Sequence, residues 1–203
     1  MNAPTLIATA ILLVAGAPAP RPSLSPADTV LADQAKAYLQ ALTTARGHFT
    51  QVDARGHASE GTFTLQRPGR ARFDYDPPSR LTIASDGHSV TVVDGRLKTI
   101  QSYPLAATPL SLFLARQIRL DRGVVVSQVI HNGGGFTLIA KDAHKKTQGQ
   151  IALSFTQSPL ALTGWAITEP QGATTRVRLA GLASTAAHNQ TFFEIWRSNG
   201  GTP

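Results

Sequence analysis

The stretch LTIASDGHSVTVVDGRLKTI, residues 81–100, restricts the possible fold more than any other feature of the chain. It contains Asp86-Gly87 and Asp94-Gly95, dipeptides that favour two-residue hairpin turns because such turns need positive φ. Around these turns, apolar and polar residues alternate with the period of a β-strand. The pairs expected across the loops are Ile83 with Val90, Leu81 with Val92, and Val92 with Leu97. The stretch therefore predicts an antiparallel meander of three strands with one apolar face.

The period of two continues through most of the chain from Phe49 onward. Further strands are expected near residues 124–130, 136–140, 151–156, 162–168, 174–180 and 191–196. The sequence thus predicts a mainly β protein with some helix, an antiparallel sheet of about 10–11 strands that forms an unclosed barrel.

Two segments have the spacing of helices instead. Residues 25–46 place apolar side chains at intervals of three and four, with Ser25 or Asp28 as N-cap and Gly47 as the end. The segment TPLSLFLARQIRL, from Thr108, has a capping threonine, then a proline. Its apolar face carries Leu110, Phe113 and Leu114. This second helix is either a plug at one end of the sheet or a mobile lid over an apolar cavity.

The hairpin EGTFTLQRPGRARFDYDPP, residues 60–78, raises the question of where Arg67 points. The two apolar faces coincide if the loop has three residues, from Pro68 to Arg70, or if a bulge lies nearby. Leu65 then faces Phe73, Phe63 faces Tyr75, and Arg67 lies on the apolar face. Arg67 either extends its charged end to water over its neighbours or donates hydrogen bonds to carbonyl groups of a covering segment.

Composition defines the class of protein. The 203 residues suit one domain, and the formal charge of +7 favours anionic partners, but the basic residues are scattered and form no nucleic-acid module. The apolar N-terminus predicts a signal peptide over residues 1–19, followed by a linker over 20–27 and one domain over 28–203. The absence of cysteine excludes both disulfides and a lipid-modified cysteine anchor.

The chain shows no signature of catalysis. Its six histidines lack metal-ligand spacing, and no nucleophile elbow, P-loop or dinucleotide motif is present. Asp74 and Asp76 alternate with aromatic residues on the outward face of a strand, which favours solvated surface over a catalytic pair. We therefore expect a protein that binds an apolar molecule. We expect it to have no enzymatic activity and no metal or cofactor.

The motifs HFTQ (48–51), GTFTLQRPGRARFDYDPP (61–78), IASDGHSVTVVD (83–94), TPLSLFL (108–114) and LTGWAITEPQGATTRVRLAGL (162–182) occur in this order along the chain. In order and spacing they resemble the periplasmic outer-membrane lipoprotein carrier family, LolA, over about residues 28–197. The resemblance implies an unclosed β-barrel with a helical lid around an apolar cavity. It also implies a monomeric periplasmic carrier that takes acylated lipoproteins from an inner-membrane ABC exporter to an outer-membrane acceptor, or to the outer membrane itself, and does not bind nucleic acid.

The resemblance gives the candidate residues their roles. Arg67, directly before Pro68, matches the arginine that holds the lid of the empty family members closed. The cavity lining would be Phe49, Phe63, Leu65, Phe73, Tyr75, Ile83, Val90 and Val92, and the lid helix would contribute Leu110, Phe113 and Leu114. The alternative function is a carrier or a sensor of another apolar lipid with the same fold.

Overall fold

The computed structural model describes residues 24–108, 110–117, 124–142 and 149–195. The predicted signal peptide and the first half of the predicted linker, residues 20–23, lie outside these residues, as does Pro109. Two α-helices are described, α1 (Pro26–Ala41) and α2 (Leu110–Leu114), and 3₁₀ turns occupy Leu105–Ala107 and Gln190–Phe192. The strands are β1 (Thr44–Val52), β2 (Ala58–Gln66), β3 (Arg70–Tyr75), β4 (Leu81–Asp86), β5 (Ser89–Asp94), β6 (Thr99–Pro104), β7 (Val124–Asn132), β8 (Gly135–Asp142), β9 (Gln150–Gln157), β10 (Leu160–Thr168) and β11 (Thr174–Ser184).

All eleven strands form one antiparallel sheet in the order β6-β5-β4-β3-β2-β1-β11-β10-β9-β8-β7. Strands that are neighbours in sequence are neighbours in the sheet, except for β6 and β7, and the two halves of the sheet are joined by the pairing of β1 with β11. Because β6 and β7 remain the two edges, the sheet does not close. The prediction of a mainly β fold with an unclosed antiparallel sheet is confirmed.

The hydrophobic core lies between one face of this sheet, here called the concave face, and the two helices, here called the lid. Helix α1 begins after Ser25, whose Oγ accepts a hydrogen bond from the Asp28 N–H. It buries an apolar stripe at helical spacing against the sheet. The buried residues of the stripe are Leu31, Ala32, Ala35 and Leu39. No helix within the described residues is both long enough and apolar enough to cross a membrane.

The predicted end of α1 at Gly47 is wrong. The helix ends at Ala41, because pairing with β2 already begins at Thr44. Gly47 instead lies within β1 and faces a narrow space, where a Cβ atom would lie 2.9 Å from the Ala180 carbonyl oxygen. Glycine is therefore required at this position by the close approach of β11.

The predicted pairings across the hairpins are also wrong, although the predicted faces are right. Ile83 pairs with Val92 and Phe63 pairs with Phe73. Each of these registers differs from the predicted one by two residues, and an even shift leaves every side chain on its original face. The apolar row across β2–β5 therefore survives the change of register.

Turn chemistry explains the shifts. The β4–β5 loop consists of Gly87 and His88, with φ +105° at Gly87, so the glycine occupies the first loop position, as in type II′ turns, and not the second. The β5–β6 loop has four residues and places Lys98 at φ +53°. Leu97 consequently lies in the loop with 61% of its surface exposed and does not pair with Val92.

The strand predicted at residues 191–196 is wrong. Asn189 accepts a hydrogen bond from the Phe192 N–H and caps a 3₁₀ turn. The segment crosses the outer face of the sheet, where Ile195 packs with Ala84 and Val93. Arg72 fixes it there by donating from Nη1 to the Phe192 carbonyl oxygen at 2.7 Å. The alternating apolar residues that suggested a strand therefore belong to a segment that packs against the sheet without joining it.

Candidate functional site

An aromatic cluster around Trp165 forms the centre of the concave face. The Trp165 ring lies 5.3 Å from Phe63 and 5.9 Å from Phe73, measured between centroids. Phe113 of α2 covers the same indole at 5.7 Å. The lid helix α2 is therefore held to the sheet by an aromatic contact, and separating the two would expose an apolar surface.

The space left inside is small. A cleft of about 120 Å³ lies between the concave face and α2. Its lining consists of Gln51, Phe73, Tyr75, Ile83, Leu110, Trp165, Ile167, Thr175 and Val177. Pockets that hold small molecules usually measure about 300–1,000 Å³. The protein is therefore described in a closed form, whose apolar face is filled mainly by its own side chains.

Arg67 joins the sheet to both helices of the lid. Pairing of Gln66 with Arg70 leaves Arg67, Pro68 and Gly69 as the β2–β3 loop, so the predicted loop of Pro68 to Arg70 is wrong. From this loop the Arg67 guanidinium donates Nη1–H to the Leu39 carbonyl oxygen and Nη2–H to that of Ala115. Of the two alternatives left open by the sequence, Arg67 thus donates to carbonyls of covering segments.

The two acceptors are helix ends. Leu39 lies in the last turn of α1 and Ala115 directly follows α2. Carbonyl groups at these positions lack donors within their own helix and carry the negative end of its dipole. The first turn of α1 contains Asp28, but its last turn contains no basic residue, so Arg67 supplies the positive charge from another element.

Further hydrogen bonds join the same parts. The Gly69 N–H donates to the Leu114 carbonyl oxygen at 2.8 Å, and the Arg67 N–H donates to that of Thr43 at 2.7 Å. Gln40 Nε2 donates to the Arg116 carbonyl oxygen at 3.0 Å, which ties α1 to the segment after α2. The β2–β3 loop and both lid helices are therefore connected at one corner of the molecule.

Burial lowers the pKa of Arg67 to about 10. The side chain is half-buried, and removing it from water disfavours its charged form. At neutral pH the guanidinium nevertheless remains protonated, so it keeps all its donors.

A second polar feature lies within the cavity. Tyr75 Oη donates to Gln51 Oε1 at 2.8 Å, and the Tyr75 ring packs edge-on against Phe49 at 4.9 Å. Gly61, which lies between them in the sheet, has no side chain to separate the two rings. Burial raises the pKa of Tyr75 to about 12, so the phenol stays neutral.

The predicted lining residues lie on the concave face, although not all equally deep. Phe49, Phe63, Leu65, Phe73 and Val90 are buried, and Tyr75 and Ile83 are partly buried against them. Val92 faces the same side opposite Ile83 but is only partly buried. On the lid, Phe113 and Leu114 are buried and Leu110 is partly buried. Contact of these residues with a ligand stays a prediction.

Sequence reasoning missed the other half of the cavity. Strands β8–β10 contribute buried residues that the candidate set lacked, namely Phe136, Leu138, Ile151, Leu153, Phe155, Leu162 and Trp165. The signal was present on β8 and β9, where the buried residues recur at period two. On β10 a bulge between Leu162 and Gly164 places Leu162 and Trp165 three residues apart and interrupts this period. Gln51 was also missed, because a polar residue among apolar ones is not recognisable as cavity lining from spacing alone.

Polar surface elsewhere does not compete for an apolar ligand. A cleft of about 840 Å³ lies where the β1–β2 and β3–β4 loops approach, and its walls include Asp53, Glu60, Asp76 and Asp94 together with arginines. Asp74 forms an ion pair with Arg72 at 2.8 Å. Among the residues that the structure describes, no three histidine or acidic side chains are grouped as metal ligands.

Comparisons of the sequence with known proteins identify a family. The family model described as outer membrane lipoprotein carrier protein LolA matches residues 40–196. An outer-membrane lipoprotein carrier protein of Methylococcus capsulatus is 26% identical over 180 residues, which cover 84% of this chain and 86% of the relative. One of Methylobacillus flagellatus is 33% identical over 108 residues, which cover 49% of this chain and only 52% of that relative.

Among solved structures, a LolA superfamily protein from Nitrosomonas europaea aligns with a TM-score of 0.46 at 8% identity, covering 80% of this chain and 96% of that one. The family assignment rests on the sequence match, which extends from the end of α1 across the whole sheet. The chain belongs to the LolA family of outer-membrane lipoprotein carrier proteins.

Proposed function

We propose that the protein is a periplasmic carrier that binds the acyl chains of lipoproteins between the concave face and the lid and moves them from the inner to the outer membrane. The observation that carries this proposal is the Arg67 guanidinium, which joins both lid helices over the aromatic cluster around Trp165. A lid fastened by hydrogen bonds at one corner can open without unfolding the sheet. No catalytic role is assigned to any residue.

The driving force for cargo binding is burial of hydrocarbon. Each CH₂ group removed from water contributes about 0.8 kcal/mol, so one long acyl chain contributes on the order of 10 kcal/mol. Such a chain would replace the lid side chains Phe113 and Leu114 on the concave face, both of which are buried in the closed form. The sheet keeps its apolar surface covered in both states.

The closed form also limits the affinity. Opening the lid costs the hydrogen bonds of Arg67 and the contact of Phe113 with Trp165, and this cost is subtracted from the binding free energy. A carrier needs such a cost, because cargo held too tightly would not be passed on. Arg67 therefore acts as a latch that favours release.

Transfer requires partners at both membranes. We propose an inner-membrane ABC exporter as the source of the lipoproteins, and an outer-membrane acceptor or the outer membrane itself as their destination. The carrier works as a monomer, because one chain provides the sheet, the lid and the latch.

The test is lipoprotein release from spheroplasts. Purified mature protein is incubated with spheroplasts, and the soluble fraction is assayed for triacylated lipoprotein bound to it. Outer-membrane vesicles are then added to measure delivery. We expect Arg67→Leu to form the soluble complex and to deliver its cargo at least tenfold more slowly than wild type, because the latch no longer favours the empty state.

Arg96→Leu is the matched control, since Arg96 is exposed in the β5–β6 loop and its loss changes the charge equally. It should release and deliver like wild type. Normal delivery by Arg67→Leu would remove Arg67 from the mechanism. Bound lipid without any lipoprotein release would favour the alternative, a carrier or sensor of another apolar lipid.

A further inference from the structure

The hydrogen-bonded pair Gln51 and Tyr75 lies at the end of the cavity farthest from Arg67. Tyr75 is opposite Gly61 on β2, whereas Arg67 follows the last residue of that strand, six residues later. At roughly 3.3 Å per residue the two features are about 20 Å apart. Aromatic and aliphatic side chains line the concave face between them. The cavity thus has a charged latch at one end and a neutral polar pair at the other.

This pair has donors to spare. Tyr75 Oη donates to Gln51 Oε1, and no described residue accepts a hydrogen bond from the two N–H groups of Gln51 Nε2. If the amide were turned around, Nε2 would donate to Tyr75 and leave one N–H and the phenol O–H available. Trp165 borders the same cleft, and no described residue accepts from its indole N–H. In every arrangement the cleft offers donors.

A ligand made only of hydrocarbon cannot use these donors. It would displace water from them and leave them unsatisfied, which lowers its affinity. A ligand with an acceptor oxygen at the start of its chain would satisfy them while its hydrocarbon fills the apolar part. The lining therefore favours an acyl lipid over a plain alkane.

The charge of the lining restricts the acceptor further. The cleft is lined by Gln51, Thr175 and apolar or aromatic residues, and no described cationic side chain is among them. A carboxylate or phosphate placed here would lose its hydration without gaining a counter-charge. A neutral carbonyl, as in an ester or an amide, fits the site better than an anion.

We propose that Gln51 and Tyr75 bind the acyl carbonyl group of the cargo, an ester or amide oxygen, with the hydrocarbon chain directed towards Arg67. This inference rests on the proposed function, because it names the part of the lipid that the same cavity recognises. Glycerolipid esters and the amide of an acylated cysteine share this chemistry.

The position of the pair suits an attached polypeptide. Thr50 and Asp76, the chain neighbours of Gln51 and Tyr75, line the polar 840 Å³ cleft on the outside of the sheet. The carbonyl site is therefore at the rim where the cavity meets polar surface. A protein joined to the head of the lipid passes from this rim directly into water.

The test compares two fluorescent ligands of equal length, a pyrene-labelled fatty acid methyl ester and the corresponding pyrene-labelled alkane. Wild type should bind the ester three- to tenfold more tightly, as expected for one or two hydrogen bonds. Gln51→Met, which keeps the length of the side chain and removes its two N–H donors, should bind the ester with a smaller preference. The double variant Gln51→Met/Tyr75→Phe, which also lacks the phenol O–H that Gln51 accepts in wild type, should bind both probes equally. Gln51→Glu, which has acceptors only, should bind the ester more weakly than the alkane.

The chain contains a matched control. Tyr103 Oη donates to Gln101 Oε1 at 2.8 Å, the same pair at the same distance, but exposed on the edge strand β6. Gln101→Met should leave both affinities unchanged. Tyr75→Phe keeps the ring on Phe49, so a reduced ester preference in this folded variant would support the site independently.

The possible outcomes distinguish failure of the carbonyl site from failure of the proposed carrier function. Equal binding of ester and alkane by wild type, or an ester preference that survives in the double variant Gln51→Met/Tyr75→Phe, would overturn the carbonyl site and leave the carrier intact. A wild type that bound neither probe would overturn the proposed function and the carbonyl site together. Displacement of the ester probe by a triacylated lipopeptide but not by a short-chain phospholipid would identify the acylated cysteine as the source of the carbonyl.

Discussion

At the residue scale, Arg67 combines an unfavourable burial with a favourable set of partners. Burial lowers the pKa of Arg67 from its usual 12.5 to about 10, so at neutral pH keeping this charge out of water destabilises the fold. The carbonyl groups of Leu39 and Ala115 offset that cost only while the lid is closed. A group so balanced can separate from its partners and become hydrated, which is what a reversible latch requires.

The pKa of Tyr75 can be used to test how well the other end of the cavity is shielded from water. Its pKa is raised from 10.0 to about 12, so the folded state keeps a proton that the unfolded state has lost in this range. The stabilisation is complete below pH 10 and disappears as the pH rises to 12. Two pKa units correspond to at most about 2.7 kcal/mol. We expect wild type to lose up to this free energy of unfolding relative to Tyr75→Phe, measured by urea denaturation from pH 9 to 12.

Tyr103→Phe is the control for that titration, because Tyr103 makes the same hydrogen bond to a glutamine on the exposed strand β6. It should follow wild type over the whole range. If Tyr75→Phe also followed wild type, Tyr75 would ionise as readily in the folded chain as in the unfolded one, and the cleft would be wetter than its lining suggests.

At the element scale, periodicity predicted the faces of the strands but not their partners. Period two depends only on burial, and it placed Phe63, Phe73 and Ile83 on one face correctly. The register depends on the loop, where one residue decides the geometry. Gly87 takes the first position of its loop and Lys98 takes positive φ in the next, and neither follows from the Asp-Gly dipeptides themselves.

The same limits apply to the candidate site. The residue before Pro68 was predicted to meet a covering segment, and it does, although the loop differs from the one expected. Its acceptors could not be predicted, because Leu39 and Ala115 are main-chain carbonyls whose positions depend on where α1 and α2 end. Gln51 shows the same limit, since its partner Tyr75 is 24 residues away in sequence.

Phe113 provides the aromatic contact between the short helix α2 and the sheet. Phe113 is 2% exposed and lies against Trp165, so Phe113→Ala removes the contact and leaves a void. A buried phenylalanine changed to alanine usually costs about 3–5 kcal/mol. We expect a smaller loss in the urea unfolding free energy, about 2 kcal/mol, because the lid can detach while the sheet stays folded. Detachment should raise the fluorescence of an apolar dye several-fold.

Val30→Ala is the comparison for this experiment, since Val30 is on α1 with 55% of its surface exposed. It should change neither stability nor dye binding. A Phe113→Ala protein that lost the full 3–5 kcal/mol without binding dye would show that lid and sheet unfold as one unit. The lid could then not open separately, and the proposed carrier mechanism would fail.

At the scale of the whole molecule, the open sheet separates two surfaces with different tasks. The concave face and the lid form the apolar cavity, and segment 185–195 covers the outer face of β3–β5. The outer face of β1 and β11 remains exposed and carries Arg46, His48, Arg176 and Arg178. No described carboxylate forms an ion pair with any of them. The net charge of +7 is thus partly concentrated on one side of the protein.

This basic side could bind anionic lipid during delivery to the outer membrane itself. Arg176 and Arg178 alternate with buried Val177 and therefore point outward together. A basic residue near an anionic membrane contributes about 1 kcal/mol, so replacing both with serine should weaken sedimentation with anionic vesicles roughly 30-fold at low salt. Replacing Arg80 and Arg96, which lie beside Asp76 and Asp94 in the polar cleft, removes the same charge elsewhere and should have little effect. If both double variants lost vesicle binding equally, only the net charge of the protein would matter. If wild type did not sediment with anionic vesicles at low salt, delivery would need a protein acceptor.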